Sequence, residues 1–225
     1  YNVIATFITH CHSDHAGKLK YLPKDIDIYG TFGELNDDRV TSQFENTDRL
    51  HYVEYWELLR VGPYVVIPIA ASHDTPEPCH YVVTDGIEYF FYGCDTNILP
   101  ESLDEYFDVC DAIMVECDYD TFAMQADIIN MQPVIYEYNS ELKERVMKTH
   151  CSTAYIMKRM FKYLRKTSVI LGHISSNYNS KKNMEYLFPS TIVVDRTDCP
   201  LSLRTVSSSE PRDVSRNILS KVVEG

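Results

Sequence analysis

Apolar residues along this 225-residue chain come in short runs, separated by polar stretches with helical spacing. Runs rich in Val, Ile, Tyr and Phe predict strands near residues 26–29, 51–54, 57–61, 64–71, 80–84, 87–92, 111–116, 168–172 and 191–194. Helices are expected near 14–21, 31–38, 100–108, 121–130, 140–148, 153–166 and 180–187. The run Val3-Ile4-Ala5-Thr6-Phe7-Ile8 precedes them all, and the Asp85-Gly86 turn joins two later strands as a hairpin. Such alternation predicts an α/β protein with mixed sheets and helices on their outer faces. No internal repeat and no linker interrupts residues 1–203, which read as one domain. Ser207-Ser208-Ser209-Glu210-Pro211 then reads as part of a polar connection within 204–225, leading to a short helix with Val214, Ile218, Leu219 and Val222.

Composition narrows the setting. With 44% hydrophobic side chains, a sizeable core is expected. No apolar run approaches the roughly 20 residues that span a bilayer, and no signal peptide is visible, so a cytoplasmic enzyme with no membrane partner is expected. The seven cysteines form an odd set without paired spacing, which reads as reduced thiols.

Candidate chemistry concentrates in Thr9-His10-Cys11-His12-Ser13-Asp14-His15-Ala16-Gly17, where three of the eight histidines stand within six positions. Residues two apart on an extended segment point the same way, so His10 and His12 can face one ion while Cys11 points away. Ser13 can cap a helix through Ala16 and Leu19, which turns Asp14 and His15 toward a point close to the first pair. That suits a site for two divalent metal ions roughly 3.5–4 Å apart. Nitrogen and carboxylate donors suit Zn and Mn alike.

His-x-His-x-Asp-His after an apolar strand resembles the signature of the metallo-β-lactamase superfamily. The resemblance implies an αββα sandwich and three further ligands at strand ends. Candidates are His73 after the run 65–71, Asp95 after 87–92, and His173 after 168–171. It further implies that His10, His12 and His73 hold one ion, that Asp14, His15 and His173 hold the second, and that Asp95 bridges them. Other segments are similar to the WalJ/YycJ-type nuclease branch: Ser72-His73-Asp74-Thr75-Pro76-Glu77-Pro78, Glu116-Cys117-Asp118-Tyr119-Asp120, Leu142-Lys143-Glu144-Arg145-Val146, His150-Cys151-Ser152-Thr153 and His173-Ile174-Ser175-Ser176-Asn177-Tyr178-Asn179. His80, Asp118, Tyr119 and Thr153 depart from that branch's pattern, and none is an implied ligand. Relatives open with strands and an Asp-x-Gly turn before the motif, so the domain is expected to be N-terminally incomplete.

Hydrolysis is the reaction that two such ions serve, and the branch resemblance implies phosphodiester bonds, with DNA as the first substrate expectation. His150 is expected to supply the leaving-group proton, beside Asp14 and His173 as catalytic residues. Lys143, Arg145 and Asn179 are the expected substrate contacts. A net charge of −12 repels an extended phosphate backbone unless cations concentrate locally. Lys158, Arg159, Lys162, Arg165 and Lys166 form one such concentration, on a segment whose Met157, Met160, Phe161 and Leu164 keep helical spacing; such a face is more often simply solvated. Lys143, Arg145 and Lys148 lie nearer the branch segments. The acidic balance favours a cyclic-nucleotide phosphodiesterase of the phage anti-Pycsar type as the alternative. A non-catalytic binding protein on the same fold is the third reading.

Overall fold

The computed structural model describes residues 3–126, 128, 129, 132, 133 and 140–194. The expected connection and helix at 204–225, and Cys199, lie outside the described residues. Strands β1 (Ala5–Phe7), β2 (Asp27–Gly30) and β3 (Leu50–Tyr52) form a small parallel sheet in that order. A seven-stranded sheet contains β4 (Leu59–Val61), β5 (Tyr64–Ala70), β6 (Cys79–Thr84), β7 (Tyr89–Gly93) and β8 (Ala112–Glu116). After the antiparallel pair β9 (Ile128–Ile129) and β10 (Gln132–Pro133), that sheet is completed by β11 (Ser168–Gly172) and β12 (Ile192–Val193), in the order β12-β11-β8-β7-β6-β5-β4. Strands β4 to β7 pair antiparallel, whereas β7, β8, β11 and β12 run parallel.

Alternation along the strands builds the layers. Val66 and Tyr81 point between the sheets, where Tyr81 meets Phe7 edge-on at 5.3 Å. Their neighbours Ile67 and Val82 point the other way, into a larger core with Phe91, Ile113, Val115 and Leu171. Helices α1 (Ser13–Ala16), α2 (Phe32–Leu35) and α3 (Asp38–Thr41) cover the small sheet through Ala16, Leu35 and Val40. The later helices are α4 (Asp104–Phe107), α5 (Thr121–Ala126), α6 (Ser140–Thr149), α7 (Thr153–Met160) and α8 (Lys181–Leu187); α4, α7 and α8 cover the other face of the large sheet through Phe107, Ile156 and Met184, while Met124 of α5 and Val146 of α6 pack with Tyr119 and Tyr178. The result is the αββα order that the resemblance implied. At the β6–β7 turn, Asp85 accepts the N–H groups of Ile87 and Glu88, and Gly86 takes φ +94°, a region that favours glycine.

Helix ends differ from the periodicity, and each difference has a local cause. The segment 153–166 is helical only to Met160, because fully buried Tyr163 turns to donate to Asp104. The segment 31–38 splits into α2 and α3 where Asp37 caps the second helix through the Arg39 N–H. Ile128–Ile129 is strand where helix was expected to run to 130. Ser13 does not cap α1; His12 holds the cap position and its carbonyl accepts from His15 and Ala16. All six cysteines among the described residues are free and buried, and no helix there is long and apolar enough to cross a membrane.

Phe91 is fully buried and packs edge-on against Phe107 at 4.8 Å. Phe91→Ala should therefore cost about 3–5 kcal/mol, read from the urea midpoint at unchanged slope. A loss below about 1 kcal/mol would show that this layer is not the main stabilising core.

Candidate metal centre

The parallel strands and β5 all end at one edge, and the loops leaving their C-terminal ends carry the candidate ligands. His10 and His12 follow β1, His73 follows β5, Asp95 follows β7, Glu116 closes β8 and His173 follows β11. Asp95 and His173 both adopt positive φ, +48° and +50°. Left-handed backbone at a residue other than glycine costs roughly 1–3 kcal/mol and collects at functional sites.

Asp95 stands at the centre and is 3% exposed. One carboxylate oxygen lies 3.2 Å from His173 Nε2 and 3.4 Å from His15 Nε2; the other lies 3.5 Å from His10 Nε2 and 3.7 Å from His73 Nε2. His12 Nδ1 is 3.2 Å from His73 Nε2. Donor atoms of His10, His12, His73 and Asp95 all fall within 4.8 Å of one another, as do those of Asp14, His15 and His173. The structure therefore brings together all seven residues expected as ligands.

These residues fit bound divalent metal on two grounds. Buried His10 Nε2, His173 Nε2 and one Asp95 oxygen satisfy no hydrogen bond within the protein, a costly state for buried polar atoms unless something else occupies the space between them. The imidazoles of His10 and His73 are also held from behind by hydrogen bonds, as metal-ligating histidines are, and a carboxylate faces His173 from behind at ion-pair distance. His10 Nδ1 sits 3.0 Å from the Thr9 hydroxyl, His73 Nδ1 3.0 Å from the Thr149 carbonyl, and His173 Nδ1 3.2 Å from Asp118.

Electrostatics follow the same layout. Burial pushes the imidazole of His10 down to about 2 and lowers those of His12 and His73, which keeps them neutral. Burial opposes the charge on Asp95, but His15, His173 and His10 outweigh it and hold the carboxyl well below its usual range. For His173 burial also acts downward, yet Asp118, Asp95 and Glu116 prevail and raise it to about 9. Protons and cations compete for that carboxylate field.

Four residues not expected as ligands, catalytic groups or substrate contacts also shape the site. Fully buried Glu116 lies 3.0 Å from His150 Nδ1 and accepts the Cys151 N–H. Burial raises Glu116 to about 7 against the pull of His150, while His150, lowered by burial, is raised overall by its bond to Glu116. His150 stacks on His173 at 5.2 Å, and the donor atoms of both cluster with those of Asp95 and Glu116. Asp118 backs His173, and Asp74 lies 3.1 Å from His73 Nε2 while accepting from Arg145 at 2.7 Å. Arg39 lines the cleft and is chelated by Asp37. A carboxylate closing the apolar strand Ala112–Val115 was a readable signal for Glu116; the sequence holds no comparable signal for Arg39.

An open cleft of about 450 Å³ leads to this centre, lined by Asp14, Arg39, Arg145, His150, His173 and Tyr178 among others. Of the expected substrate contacts, Arg145 is on its wall, and Lys143 sits 5.6 Å from the Tyr178 ring. Asn179 is buried instead, with its amide donating to the Cys117 carbonyl and the Thr153 hydroxyl. Lys148 pairs with Glu144. On the basic segment, Arg159 and Lys162 pair with Asp104, and Lys166 lies 3.7 Å from Asp108.

A family model described as "Beta-lactamase superfamily domain" matches residues 2–174. The chain belongs to this superfamily. Solved structures agree on the fold. Zn(2+)-bound PqqB from Methylobacterium extorquens is 12% identical, with a TM-score of 0.61 over 85% of this chain and 71% of that one. A diphosphatase from the PhnP family is 16% identical, with a TM-score of 0.55 over 84% and 67%. The short form of human tRNase Z is 16% identical, with a TM-score of 0.54 over 89% and 79%. No curated protein matches the sequence significantly.

Elemental analysis after reconstitution should give two divalent ions per chain, because this many ligand side chains exceeds what one tetrahedral ion takes. Asp95→Ala should lower occupancy at both positions, and His173→Ala mainly at the second. A single equivalent in the wild type would contradict the two-ion arrangement.

Proposed function

We propose that this member of the β-lactamase superfamily is a dinuclear metal-dependent hydrolase of phosphodiester bonds. The observation that carries the reading is the convergence of His10, His12, His15, His73, His173, Asp14 and Asp95 at the floor of an open cleft. In this proposal His10, His12 and His73 would hold one ion and Asp14, His15 and His173 the other, with Asp95 between them. Bound divalent ions would supply Lewis-acid activation of a water and of a phosphoryl oxygen. Two similar structures carry the names of a diphosphatase and a tRNase, which supports phosphoester chemistry.

The chain's own residues do the rest. Glu116 holds the His150 ring by its Nδ1 and leaves Nε2 for the cleft that His150 lines. An imidazole raised by a buried carboxylate keeps its proton near neutral pH, so His150 can deliver it to the departing oxygen. Arg145, whose Nε is the donor used by Asp74 among the described residues, has further donors for a phosphate oxygen.

DNA, as in the WalJ-type nucleases, is the substrate to which the ordered motif resemblance points. The charge layout favours the second reading, a small phosphodiester such as a cyclic nucleotide. Arg159, Lys162 and Lys166 are engaged by Asp104 and Asp108, so the basic segment serves to anchor the chain around α4 rather than to track a phosphate backbone. Free buried thiols fit the cytoplasm.

His150→Ala should keep both metals while losing about 10²–10⁴-fold in kcat. Loss of metal with normal turnover per bound ion would exchange the roles of His150 and His173. Salt separates the substrates: binding of duplex DNA through several phosphates weakens with a log–log slope of about −0.9 per contact, whereas a cyclic nucleotide engages one phosphate and should show a nearly flat KM. A steep slope that flattens in Lys158→Ala/Lys162→Ala/Arg165→Ala would restore the DNA reading.

A further inference from the structure

The loops that carry the first set of imidazoles are joined by a carboxylate with no part in the chemistry above. Glu34, in α2, is fully buried. It accepts the backbone N–H of Cys11 at 2.6 Å and the backbone N–H of Glu77 at 2.8 Å. Cys11 stands between His10 and His12, and Glu77 lies just beyond His73 on the loop that returns to β6. Two more bonds close the same contact. The Thr31 hydroxyl donates to the Glu77 carbonyl at 2.6 Å, and the Gly33 N–H donates to the Glu77 carboxylate at 2.6 Å. A Cβ at Gly33 would come within 2.9 Å of Glu77 Cγ and 3.0 Å of Pro76 Cβ, so α2 can approach the turn this closely only with glycine there.

The chemistry of that contact is specific to a carboxylate. Cys11 and Glu77 lie in loops where no strand partner takes their N–H groups, and a carboxylate offers two acceptor oxygens for two donors. Charge-assisted bonds of this kind are about twice as strong as neutral ones. An amide in its place would turn an NH2 group toward one of the N–H donors. Holding the His10–Cys11 peptide fixes where His10 leaves the backbone, while the Cys11 side chain packs beneath the small sheet, opposite the site.

We infer that Glu34 is a positioning residue: it latches the His10–His12 loop to the turn after His73 and so sets the spacing of the imidazoles proposed to hold one ion. The inference rests on reading those imidazoles as metal ligands. Residues that hold metal ligands from behind typically affect metal affinity by 10–100-fold.

Cobalt(II) titration of the metal-free full chain, followed by its visible d–d bands and by chelator competition, tests this. The wild type should take two equivalents. Glu34→Gln should bind one of them about 10–100-fold more weakly, with displaced bands, while Glu77→Gln, which keeps an acceptor oxygen, stays close to wild type. Hydrogen exchange on the metal-free wild type needs no variant: the Cys11 and Glu77 amides should be protected despite lying outside the strands. Wild-type cobalt affinity and spectrum in Glu34→Gln, or unprotected amides at both positions, would overturn the latch with the metal centre intact. A wild type that binds no cobalt would instead remove the metal centre itself, and the inference with it.

Discussion

A carboxylate removed from water must be compensated, and Asp95 imposes that demand on everything around it. Taking one such charge into a protein interior costs several kcal/mol, recovered only with well-placed partners. Here the partners are four imidazoles from three chain segments, none farther than 3.7 Å from its oxygens. The imidazoles of His10 and His73 are neutral and do not balance the charge, whereas His173 is raised to about 9 beside it. Burial keeps His10, His12 and His73 from taking up protons, and a bound cation would give both these imidazoles and Asp95 a partner. The left-handed backbone at Asp95 and His173 adds a cost that the surrounding sheet carries.

The fold meets this demand by ending its parallel strands at one edge. A strand can deliver a side chain to a fixed point without flexing, since its ends are held by ladder bonds and a packed core. Phe91, Ile113 and Leu171 anchor β7, β8 and β11 in the large core, and the residues that follow these strands, or close them, are Asp95, Glu116 and His173. The small sheet supplies His10 and His12 the same way and is fastened to the large one by the Tyr81 hydroxyl donating to the Ile8 carbonyl at 2.7 Å. Glu34 and Glu77 extend that fastening to the loops themselves.

Charge is distributed in keeping with this division of labour. Acidic residues outnumber basic ones, 33 to 21, and several of the basic ones are committed to carboxylates that brace the scaffold. Arg39 and Arg145 are also paired, but they line the cleft, where under the proposed function a substrate phosphate would share their remaining donors.

Local chemistry was legible in the amino-acid order because it depends on local spacing. Two-residue alternation put His10 and His12 on one side and Cys11 on the other, and apolar runs located the strands whose ends carry His73, Asp95 and His173. The inward and outward faces of β5 and β6 follow from the same period. Helix ends were poorly legible: buried Tyr163 and the cap at Asp37 stop helices that periodicity alone would continue. The support of the site was beyond reach. Glu116 meets His150 across 34 positions, Glu77 meets Glu34 across 43, and Arg145 meets Asp74 across 71. Arg159, Lys162 and Lys166 read as part of a basic face, and Asn179 as a substrate contact, until folding gave them Asp104, Asp108 and the Cys117 carbonyl as partners. The candidate ligand set is carried by residue type and short spacing, which a linear chain contains. Which charges stay available and which are consumed depends on partners that only the packed tertiary structure brings within bonding distance.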